Sequence, residues 1–520
     1  MKDIYEAAPF GEALVQIIER YADRIAIVCE GEEITYREME RRVSRYCQAL
    51  KSLGLNRGDA LTQISSNRPD ILLVNIACAI LGVRITLLHP KGSEDDHAFV
   101  LQDCEATVLI ADERRYAQRA EALSKRAPNL KAVLSYDPDP QFASLNELAQ
   151  RFEPQRLIVE AKPDDIVQIS YTGGTTGRSK GVIVRSRTRL EQIKISVMHW
   201  EWPSEVRMLA VTPVTHAAGA TFYPTLFVGG AFYIVDGFDP AGFLADIEKH
   251  HITMASLIPT MLYVILDLPN LRDFDTSSLE VMLYGAAPMS PARLGEGIER
   301  FGKVFLQYYG QAEAPMVATI LARGEHDLGK PDRLGACGRA TIGTQIKLLN
   351  EDGVEVPRGE IGEICIRGNL VSEGYWKRPE ENEQLWRMGW LHTGDLARMD
   401  DEGFIFIVDR SKDMIISGGF NVYPREVEDA LTQHAAVMTA AVIGIPDPKW
   451  GEAVKALVVL RTNAVATPDE LIQWVREKKG PVYAPKTVEF LTSLPLTGLG
   501  KPDKKALRAQ YWTQSDRQIG

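Results

Sequence analysis

The sequence contains few cysteines and no cysteine pair with the spacing of a metal or redox motif. Six cysteines occur in 520 residues, and no Cys-x-x-Cys pair is present. A structural zinc site therefore has no support, and this scattered usage is typical of reduced core thiols in a cytoplasmic protein. The six positions are Cys29, Cys47, Cys78, Cys104, Cys337 and Cys365.

A block of basic residues is also absent, as is any apolar run long enough to cross a bilayer. The net charge is −11, whereas a nucleic-acid partner would require a basic face. The most apolar stretch, residues 71–83, is too short to span a membrane and contains Asn75, so it predicts a buried helix. The N-terminal segment "MKDIYEAAPFGEA" lacks the apolar core of a signal peptide. We therefore expect a protein that is neither transmembrane nor bound to nucleic acid.

The order of helix and strand patterns predicts an α/β protein. "RIAIVCEG" reads as a strand, and the next helix opens with Thr35 and Glu38 in the spacing of a capping box. Repetition of such units predicts parallel sheets flanked by helices. Beyond the segment "DRSKDMIISGGFNVYP", the strands "TAAVIGIPD" and "AVKALVVLR" and a helix capped by Thr467 predict a separate small α+β unit. The length is consistent with about two to four domains or subdomains.

The segment "YTGGTTGRSKG", residues 171–181, has the composition of an anion-binding loop. A Walker A loop would require Gly-x-x-x-x-Gly-Lys-Ser/Thr before a helix, and neither condition is met here. Strand patterns flank the segment on both sides, so the loop joins strand to strand. Its backbone N–H groups, its threonine hydroxyls and Lys180 would then hold a phosphate. The alternative from composition alone is a Gly/Thr hairpin with no ligand.

This loop and four later segments resemble the motifs of the adenylate-forming superfamily, in the same order along nearly the whole chain. The superfamily comprises acyl- and aryl-CoA synthetases, adenylation domains of peptide synthetases, and luciferases. The four segments are "YGQAE" (309–313), "GWLHTGD" (389–395), "DRSKDMIISGGFNVYPREVE" (409–428) and "PLTGLGKPDKKALR" (495–508).

The resemblance implies a two-step reaction and a two-domain architecture. A carboxylate attacks the α-phosphorus of ATP to give an acyl-adenylate and pyrophosphate, and a thiol then displaces AMP. The implied fold has a large N-terminal domain of parallel-rich sheets flanked by helices, a β-barrel-like subdomain, and a small mobile α+β C-terminal domain. We place the adenylation domain at 1–409, the hinge at 410–413 and the mobile domain at 414–520.

The resemblance also assigns the nucleotide site. Glu313 matches the carboxylate that holds Mg²⁺, a metal that prefers oxygen ligands, although Ala312 replaces the threonine usually found before it. Asp395 and Arg410 match the residues that bind the ribose. The remaining residues bind the phosphates (Thr172, Gly173, Gly174, Thr175, Thr176, Gly177 and Lys180) or flank the adenine and the acid (Gly285, Ala286, Ala287, Tyr308, Tyr309 and Gly310).

Three further residues match positions that act on the substrates or move the domains. Lys501 matches the lysine that bridges the carboxylate and the α-phosphate, which are two anions that must meet. Lys412 matches the hinge, and His216 matches the residue that separates the acid from the thiol. After a rotation of the small domain, Ser417, Gly418 and Gly419 would line the thiol tunnel, and Trp450 would pack on the adenine of coenzyme A.

The resemblance leaves three activities to compare. An AMP-forming acyl-CoA synthetase is favoured by Trp450 in "PDPKWGEAV". An adenylation enzyme that serves a carrier protein or an amine is the alternative, and a luciferase-like oxidase shares the same motifs. The acid is expected to be apolar, fatty or aromatic: Tyr308 would close a short pocket, whereas Gly285 would open a long one. The sequence leaves a homodimer open.

Overall fold

The computed structural model describes residues 7–172, 179–497 and 501–512, which form fifteen α-helices and twenty-five β-strands. The helices are α1 (Phe10–Arg20), α2 (Tyr36–Ser52), α3 (Pro69–Leu81), α4 (Glu94–Asp103), α5 (Glu113–Arg126), α6 (Leu145–Gln150), α7 (Ser186–His199), α8 (Ala217–Phe227), α9 (Pro240–His250), α10 (Pro259–Leu266), α11 (Pro291–Phe301), α12 (Pro379–Leu385), α13 (Pro424–Thr432), α14 (Pro468–Lys479) and α15 (Lys504–Arg508).

The strands up to residue 234 are β1 (Ile25–Cys29), β2 (Glu32–Thr35), β3 (Ala60–Ile64), β4 (Arg84–Leu87), β5 (Val108–Ala111), β6 (Ala132–Ser135), β7 (Ala143–Ser144), β8 (Ile166–Thr172), β9 (Lys180–Arg185), β10 (Arg207–Ala210) and β11 (Ala231–Ile234). The later strands are β12 (Met254–Leu257), β13 (Val281–Gly285), β14 (Phe305–Tyr309), β15 (Thr319–Leu321), β16 (Arg339–Ala340), β17 (Gln345–Leu349), β18 (Gly362–Arg367), β19 (Leu391–Met399), β20 (Ile405–Arg410), β21 (Ile415–Ser417), β22 (Phe420–Val422), β23 (Val437–Asp447), β24 (Gly451–Leu460) and β25 (Thr487–Phe490).

Two large sheets form most of the molecule. One has seven strands in the order β7-β6-β5-β3-β4-β8-β9, and the other has nine in the order β16-β15-β14-β13-β12-β10-β11-β1-β2. The central neighbours of both sheets are parallel, and antiparallel pairs occur only toward their edges. This arrangement confirms the α/β prediction, because helices connect parallel neighbours and cover the sheet faces.

The predicted strand-to-strand loop is confirmed by its two flanking strands. β8 and β9 are antiparallel partners at the edge of the seven-stranded sheet, and Thr172 pairs with Lys180 at the open end. The phosphate-loop prediction for Gly173, Gly174, Thr175, Thr176 and Gly177 lies outside the described residues. Because the loop leads into β9 and α7 begins only at Ser186, the loop itself offers an anion no helix N-terminus, so the phosphate ligands would come from the loop.

The third sheet corresponds to the expected β-barrel-like subdomain, but it is open in the described part of the chain. Its four antiparallel strands follow the order β17-β18-β19-β20, with β17 and β20 as edges and no pairing between them. β19 and β20 carry the candidate ribose-binding residues toward the nine-stranded sheet.

The last sheet is the predicted small α+β unit. Strands β22-β21-β24-β23 pair in that order, with β25 beside β24, and they have a hydrophobic core of their own with α13 and α14. Thr467 and Glu470 form a complete capping box at the start of α14, as the sequence predicts. Local signals therefore specify the elements of this unit well.

The other compositional predictions also agree with the structure. Every residue from Ile71 to Leu81 in α3 is buried, as the sequence predicts for a helix of a globular core. Among the described residues, no helix combines the length and the apolar character needed to cross a membrane. All six cysteines are free thiols, and five of them are buried.

Candidate active site

The candidate site lies where β13 and β14 end at the same edge of the nine-stranded sheet. These strands are parallel neighbours, and Gly285 pairs with Tyr308. The turns "GAAP" and "YGQAE" therefore emerge side by side, at the carboxyl ends of the strands where open α/β sheets usually bind ligands. Gly310 permits the second turn, because a Cβ there would lie 2.4 Å from the backbone nitrogen of Met316.

Asp395 is the residue on which the strongest hydrogen bonds of the site converge. Its Oδ2 accepts a hydrogen bond from the Tyr309 hydroxyl at 2.7 Å and one from Gln311 Nε2 at 2.6 Å. Its Oδ1 accepts one from Arg410 Nε at 3.1 Å. The side chain is almost fully buried, so these donors replace water and hold the carboxylate in one orientation.

Three sequence-predicted residues, Tyr309, Asp395 and Arg410, meet in these hydrogen bonds. A fourth, Lys501, lies close enough for the charges of Asp395 and Arg410 to act on its amine. Burial, with the positive charge of Arg410, lowers the pKa of Lys501 to about 8, while Asp395 acts in the opposite direction. Thr497 and Lys501 exchange two hydrogen bonds, which close the turn that carries the lysine. The amine of Lys501 is thus partly desolvated.

Glu313 is also buried in this site, and a residue that the sequence analysis missed contacts it. The Tyr375 hydroxyl donates a hydrogen bond to Glu313 Oε1 at 2.6 Å. The Glu313 backbone carbonyl accepts another from Ser372 N at 2.7 Å. Gln311 was missed as well, although it lies inside "YGQAE", because glutamine at this position has no obvious role until its contact with Asp395 is visible.

Lys180 is the described cation of the phosphate loop. Its Nζ lies 5.0 Å from the centre of the Tyr375 ring and 4.0 Å from Glu381 Oε1. Tyr375 therefore contacts both Lys180, after the loop, and Glu313, after β14.

Gly285 leaves no open space, because the Tyr308 ring fills it. A Cβ at Gly285 would lie 2.4 Å from the Tyr308 carbonyl oxygen and 2.7 Å from its ring. Ala286 follows with a positive φ of 65°, so the chain turns sharply before Ala287. Burial raises the pKa of Tyr308 to about 12, so its phenol is neutral. Both alternatives from sequence, a short pocket closed by Tyr308 and a long pocket opened by Gly285, stay predictions.

His216 lies at the start of α8 against a second histidine that the sequence analysis did not select. The rings of His216 and His89 are 4.4 Å apart, and Thr215 Oγ1 is 2.8 Å from His216 Nδ1. Burial and the nearby His89 lower the pKa of His216 to about 3. The imidazole is therefore neutral near pH 7.

The predicted thiol-tunnel residues form a second group, within the small α+β unit. Gly418 N donates a hydrogen bond to the Trp450 carbonyl at 2.8 Å, and Gly418 and Gly419 both have positive φ. Ser417 is buried, whereas Trp450 is 39% exposed and has Lys449 and Lys486 near its ring. All these contacts are internal to the unit, in contrast to Lys501, which faces Asp395.

Polar contacts hold the small unit in this orientation, and they join it to the part of the chain that precedes the candidate hinge. Arg461 Nη2 lies 2.7 Å from Glu296 Oε1 of α11, and Thr432 Oγ1 lies 2.9 Å from Ser290 Oγ. Lys412 lies in a short 3₁₀ helix, where burial and Arg410 lower its pKa. Its neighbour Asp413 pairs with Arg508 of α15 at 2.7 Å.

One described group has the spacing of metal ligands, but its contacts favour a structural role. Glu363, Cys365 and His392 lie together on β18 and β19. His392 Nδ1 is 2.7 Å from Glu363, and Arg387 lies 3.4 Å from the same nitrogen, where its positive charge would oppose a metal ion. Glu363 Oε1 also accepts from Gly394 N at 2.8 Å, which supports the turn before Asp395.

Comparison with known proteins identifies the family. Residues 14–376 match the family of AMP-binding enzymes, and residues 426–501 match the C-terminal domain of AMP-binding enzymes. The chain belongs to the AMP-binding enzyme family.

Particular relatives refine this assignment. The chain is 45% identical to the medium/long-chain-fatty-acid–CoA ligase FadD8 of Mycobacterium tuberculosis, over 98% of this chain and 91% of that protein. It is 36% identical to a feruloyl-CoA synthase of an Amycolatopsis species, over 92% and 94% of the two chains. Its fold is similar to that of the amide bond synthetase McbA from Marinactinospora thermotolerans, with a TM-score of 0.89, 29% identity, and coverage of 96% and 100%.

The pKa of Lys501 predicts how adenylation depends on pH. The ordinary value of 10.5 falls to about 8 in the folded protein, so the free enzyme loses this positive charge as pH rises through about 8. We expect kcat/KM for ATP in the adenylation step to fall above that pH, since this parameter reports groups of the free enzyme. Arginine stays charged in this pH range. The kcat/KM of Lys501→Arg should therefore not fall above about pH 8, even at a lower overall rate.

The matched control is Lys505→Arg, on the exposed surface of α15, which should retain the wild-type profile. If the kcat/KM of Lys501→Arg falls above that pH as it does in the wild type, another group is responsible for the pH dependence.

Proposed function

We propose that this protein activates an apolar carboxylic acid with ATP and transfers the acyl group to coenzyme A. It is an AMP-forming acid–thiol ligase, and its cofactors are ATP and coenzyme A. The observation that carries the proposal is the meeting of Lys501 with the Asp395–Arg410 pair beside Glu313. These residues come from separate segments, and a structural role alone would not require a partly desolvated lysine there.

In the first step, a carboxylate oxygen forms a bond to the α-phosphorus while the bond to the β-phosphate oxygen breaks. The two reactants are both anions, and negative charge increases on the leaving pyrophosphate. Lys501 would neutralise the meeting anions, and Lys180 and the loop donors would stabilise the leaving group. Donors fixed in advance stabilise such charge most when water is excluded.

The site fits magnesium through Glu313. A buried carboxylate whose Oε1 is fixed by a tyrosine hydroxyl is a hard oxygen ligand with a defined direction, and Mg²⁺ commonly uses one or two carboxylates together with substrate phosphates. When bound, Mg²⁺ would offset the charge of the phosphate oxygens. Ala312 provides no hydroxyl at the position before Glu313, so Glu313 would be the protein ligand from this turn.

The ribose would bind at Asp395. A carboxylate offers about four acceptor sites, and Tyr309, Gln311 and Arg410 occupy three of them. A diol that donates two hydrogen bonds would therefore displace one of these donors. The adenine would lie along Tyr309 and the turn that contains Gly285, Ala286, Ala287 and Gly310.

In the second step, the thiolate sulfur of coenzyme A forms a bond to the acyl carbon, and AMP leaves with the electron pair of the broken acyl–oxygen bond of the mixed anhydride. We assign residues 1–409 to the adenylation domain, 410–413 to the hinge and 414–520 to the mobile domain. Rotation about Lys412 would withdraw Lys501 and bring Ser417, Gly418 and Gly419 to the acyl group. The polar pairs Arg461–Glu296 and Thr432–Ser290 would have to open.

Coenzyme A is favoured as the acceptor by the surroundings of Trp450. Its exposed indole can stack on an adenine, and Lys449 and Lys486 supply positive charge for the adjacent phosphates. FadD8 and the feruloyl-CoA synthase are both named for CoA products. The alternative, transfer to an amine or a carrier protein, is favoured by the similarity of fold to an amide bond synthetase.

The acid is the least defined component. His216 and Tyr308 are uncharged near neutral pH, so they favour an apolar chain over a second carboxylate or an ammonium group. The name of FadD8 makes medium- or long-chain fatty acids the first candidates and the feruloyl-CoA synthase makes aromatic acids the second. A cytoplasmic location and a homodimer stay predictions.

A product assay with a panel of acids tests the proposal. The protein is incubated with ATP, Mg²⁺, coenzyme A and fatty or aromatic acids, and the products are resolved by chromatography. We expect AMP, pyrophosphate and an acyl-CoA in equal amounts for at least one apolar acid. ADP as the product would refute adenylation. Acyl-adenylate that forms but never reacts with coenzyme A, while an added amine accepts it, would support the alternative.

Two substitutions should separate the half-reactions. Lys501→Ala should reduce adenylation by about a hundredfold or more, because it removes the cation between two anions. The same variant should still convert supplied acyl-adenylate to acyl-CoA. Gly419→Leu should do the reverse, because its side chain would fill the thiol tunnel. Single-turnover kinetics with ATP or with supplied acyl-adenylate measures each step separately.

Matched controls separate these effects from backbone strain and loss of charge. Gly480 has a φ of 87° and open surroundings, as Gly419 has with a φ of 83°, so Gly480→Leu imposes similar strain away from the tunnel. Lys505→Ala removes an exposed lysine of the same unit. Equal slowing of both steps by Lys501→Ala or by Gly419→Leu would contradict the two-orientation mechanism.

A further inference from the structure

Tyr375 contacts both Glu313 and Lys180. Its hydroxyl and its ring serve different partners. The hydroxyl hydrogen-bonds the carboxylate that follows β14, and the ring lies beside the ammonium group that follows the phosphate loop. Glu313 follows a strand of the nine-stranded sheet, and Lys180 begins a strand of the seven-stranded sheet. Tyr375 therefore connects residues from both sheets.

The backbone of Tyr375 is fixed against the strand that leaves the loop. Ile183 N donates to the Gly374 carbonyl at 3.0 Å, and Trp376 N donates to the Gly181 carbonyl at 2.7 Å. Asn382 completes the arrangement, because its side chain accepts from Tyr375 N at 2.6 Å and donates to the Tyr375 carbonyl at 2.9 Å. Tyr375 is thus an added partner of β9 and has little freedom of its own.

The hydroxyl is placed to act only as a donor toward Glu313. A tyrosine phenol carries its proton at neutral pH, and a carboxylate oxygen can only accept, so the hydroxyl donates to Glu313 Oε1. A hydrogen bond to an ionised group is stronger than one between neutral groups and fixes the direction of the acceptor. Glu313 is therefore oriented before any ligand arrives, and one of its oxygens is already used.

The ring limits the positions of Lys180. A lysine side chain has many rotamers, and an aromatic face within about 6 Å attracts its ammonium group. The Nζ lies 5.0 Å from the ring centre, and the weaker contact with Glu381 is 4.0 Å long. The ammonium group of Lys180 and the carboxylate of Glu313 are thus both held against the same side chain.

We propose that Tyr375 is a positioning residue that places the metal-binding carboxylate of Glu313 and the ammonium group of Lys180 around one phosphate site. This inference rests on the proposed function, in which Glu313 and Lys180 face the β,γ-phosphates of ATP. Tyr375 itself touches neither substrate nor metal, and it acts through the hydroxyl on Glu313 and through the ring on Lys180.

Isothermal titration calorimetry tests the role of the hydroxyl without turnover. The probe is α,β-methylene-ATP, whose α–β linkage resists cleavage, titrated with and without MgCl₂. For Tyr375→Phe we expect affinity with MgCl₂ to weaken by about tenfold, the lower range for one hydrogen bond to a charged group. Affinity without MgCl₂ should be unchanged, since the ring and Lys180 remain. Glu313→Gln should lose most of the MgCl₂ effect, and Tyr375→Phe should add little to it.

The C-terminal unit offers a matched control. The half-buried Tyr511 has a similar pair of partners: its hydroxyl donates to Glu489 at 2.7 Å, and Lys455 Nζ lies 4.6 Å from its ring. Tyr511→Phe should leave both affinities unchanged. Tyr375→Leu removes the ring as well, and it should also weaken binding in the absence of MgCl₂, whereas Lys180→Gln in that background should have no further effect.

The outcomes are distinguishable from failure of the proposed function. If wild-type protein binds the analogue with a MgCl₂ effect, but Tyr375→Phe behaves like wild type, the inference is wrong and the proposed function stands. If wild-type protein does not bind the analogue at all, the proposed function fails first. Equal weakening with and without MgCl₂ in a stably folded Tyr375→Phe also overturns the inference. If Tyr375→Phe unfolds, the binding free energies of Tyr375→Leu, Lys180→Gln and the double variant decide. Additive losses of the two substitutions contradict the inference, and non-additive losses support it.

Discussion

The orientation of the Asp395 carboxylate is the constraint on which the candidate site depends. Its donors come from the turn after β14 and from the end of β20, while Asp395 itself lies on β19. The nine-stranded sheet and the open four-stranded sheet are thereby joined through one buried anion. Loss of that charge would leave Tyr309, Gln311 and the half-exposed Arg410 without their shared acceptor, and the cost would be greatest for the buried Tyr309 hydroxyl.

Two positively charged residues of the site, Arg410 and Lys501, are arranged around the same carboxylate. Arg410 is paired with Asp395, but its charge still lowers the pKa of Lys501. Burial and Arg410 thus hold Lys501 in an environment that disfavours its charge, at the place where a carboxylate and a triphosphate would meet. This arrangement is unfavourable for the isolated lysine and favourable once anions bind, which is the preorganisation that catalysis of charge development requires.

Local features of the fold could be predicted from the sequence, whereas long-range contacts could not. The hairpin of β8 and β9, the cap at Thr467 and the buried α3 follow from residues that are close in sequence. Resemblance to a family then selected Asp395, Arg410 and Lys501, which the structure brings together.

The missed residues share one physical cause. Tyr375 is separated from Glu313 by 62 positions and belongs to no recognised motif, so only the pairing of residues 374–376 with β9 reveals its role. His89 lies against His216 for a similar reason. The close approach of the Tyr308 ring to Gly285 is a third contact that the sequence does not reveal.

A crystal structure with α,β-methylene-ATP, MgCl₂ and a fatty acid would test the central claim most directly. The account predicts that Lys501 Nζ lies within hydrogen-bonding distance of both an α-phosphate oxygen and the carboxylate of the acid, with the ribose at Asp395. A nucleotide bound elsewhere, or bound at Asp395 with Lys501 turned to solvent, would contradict it.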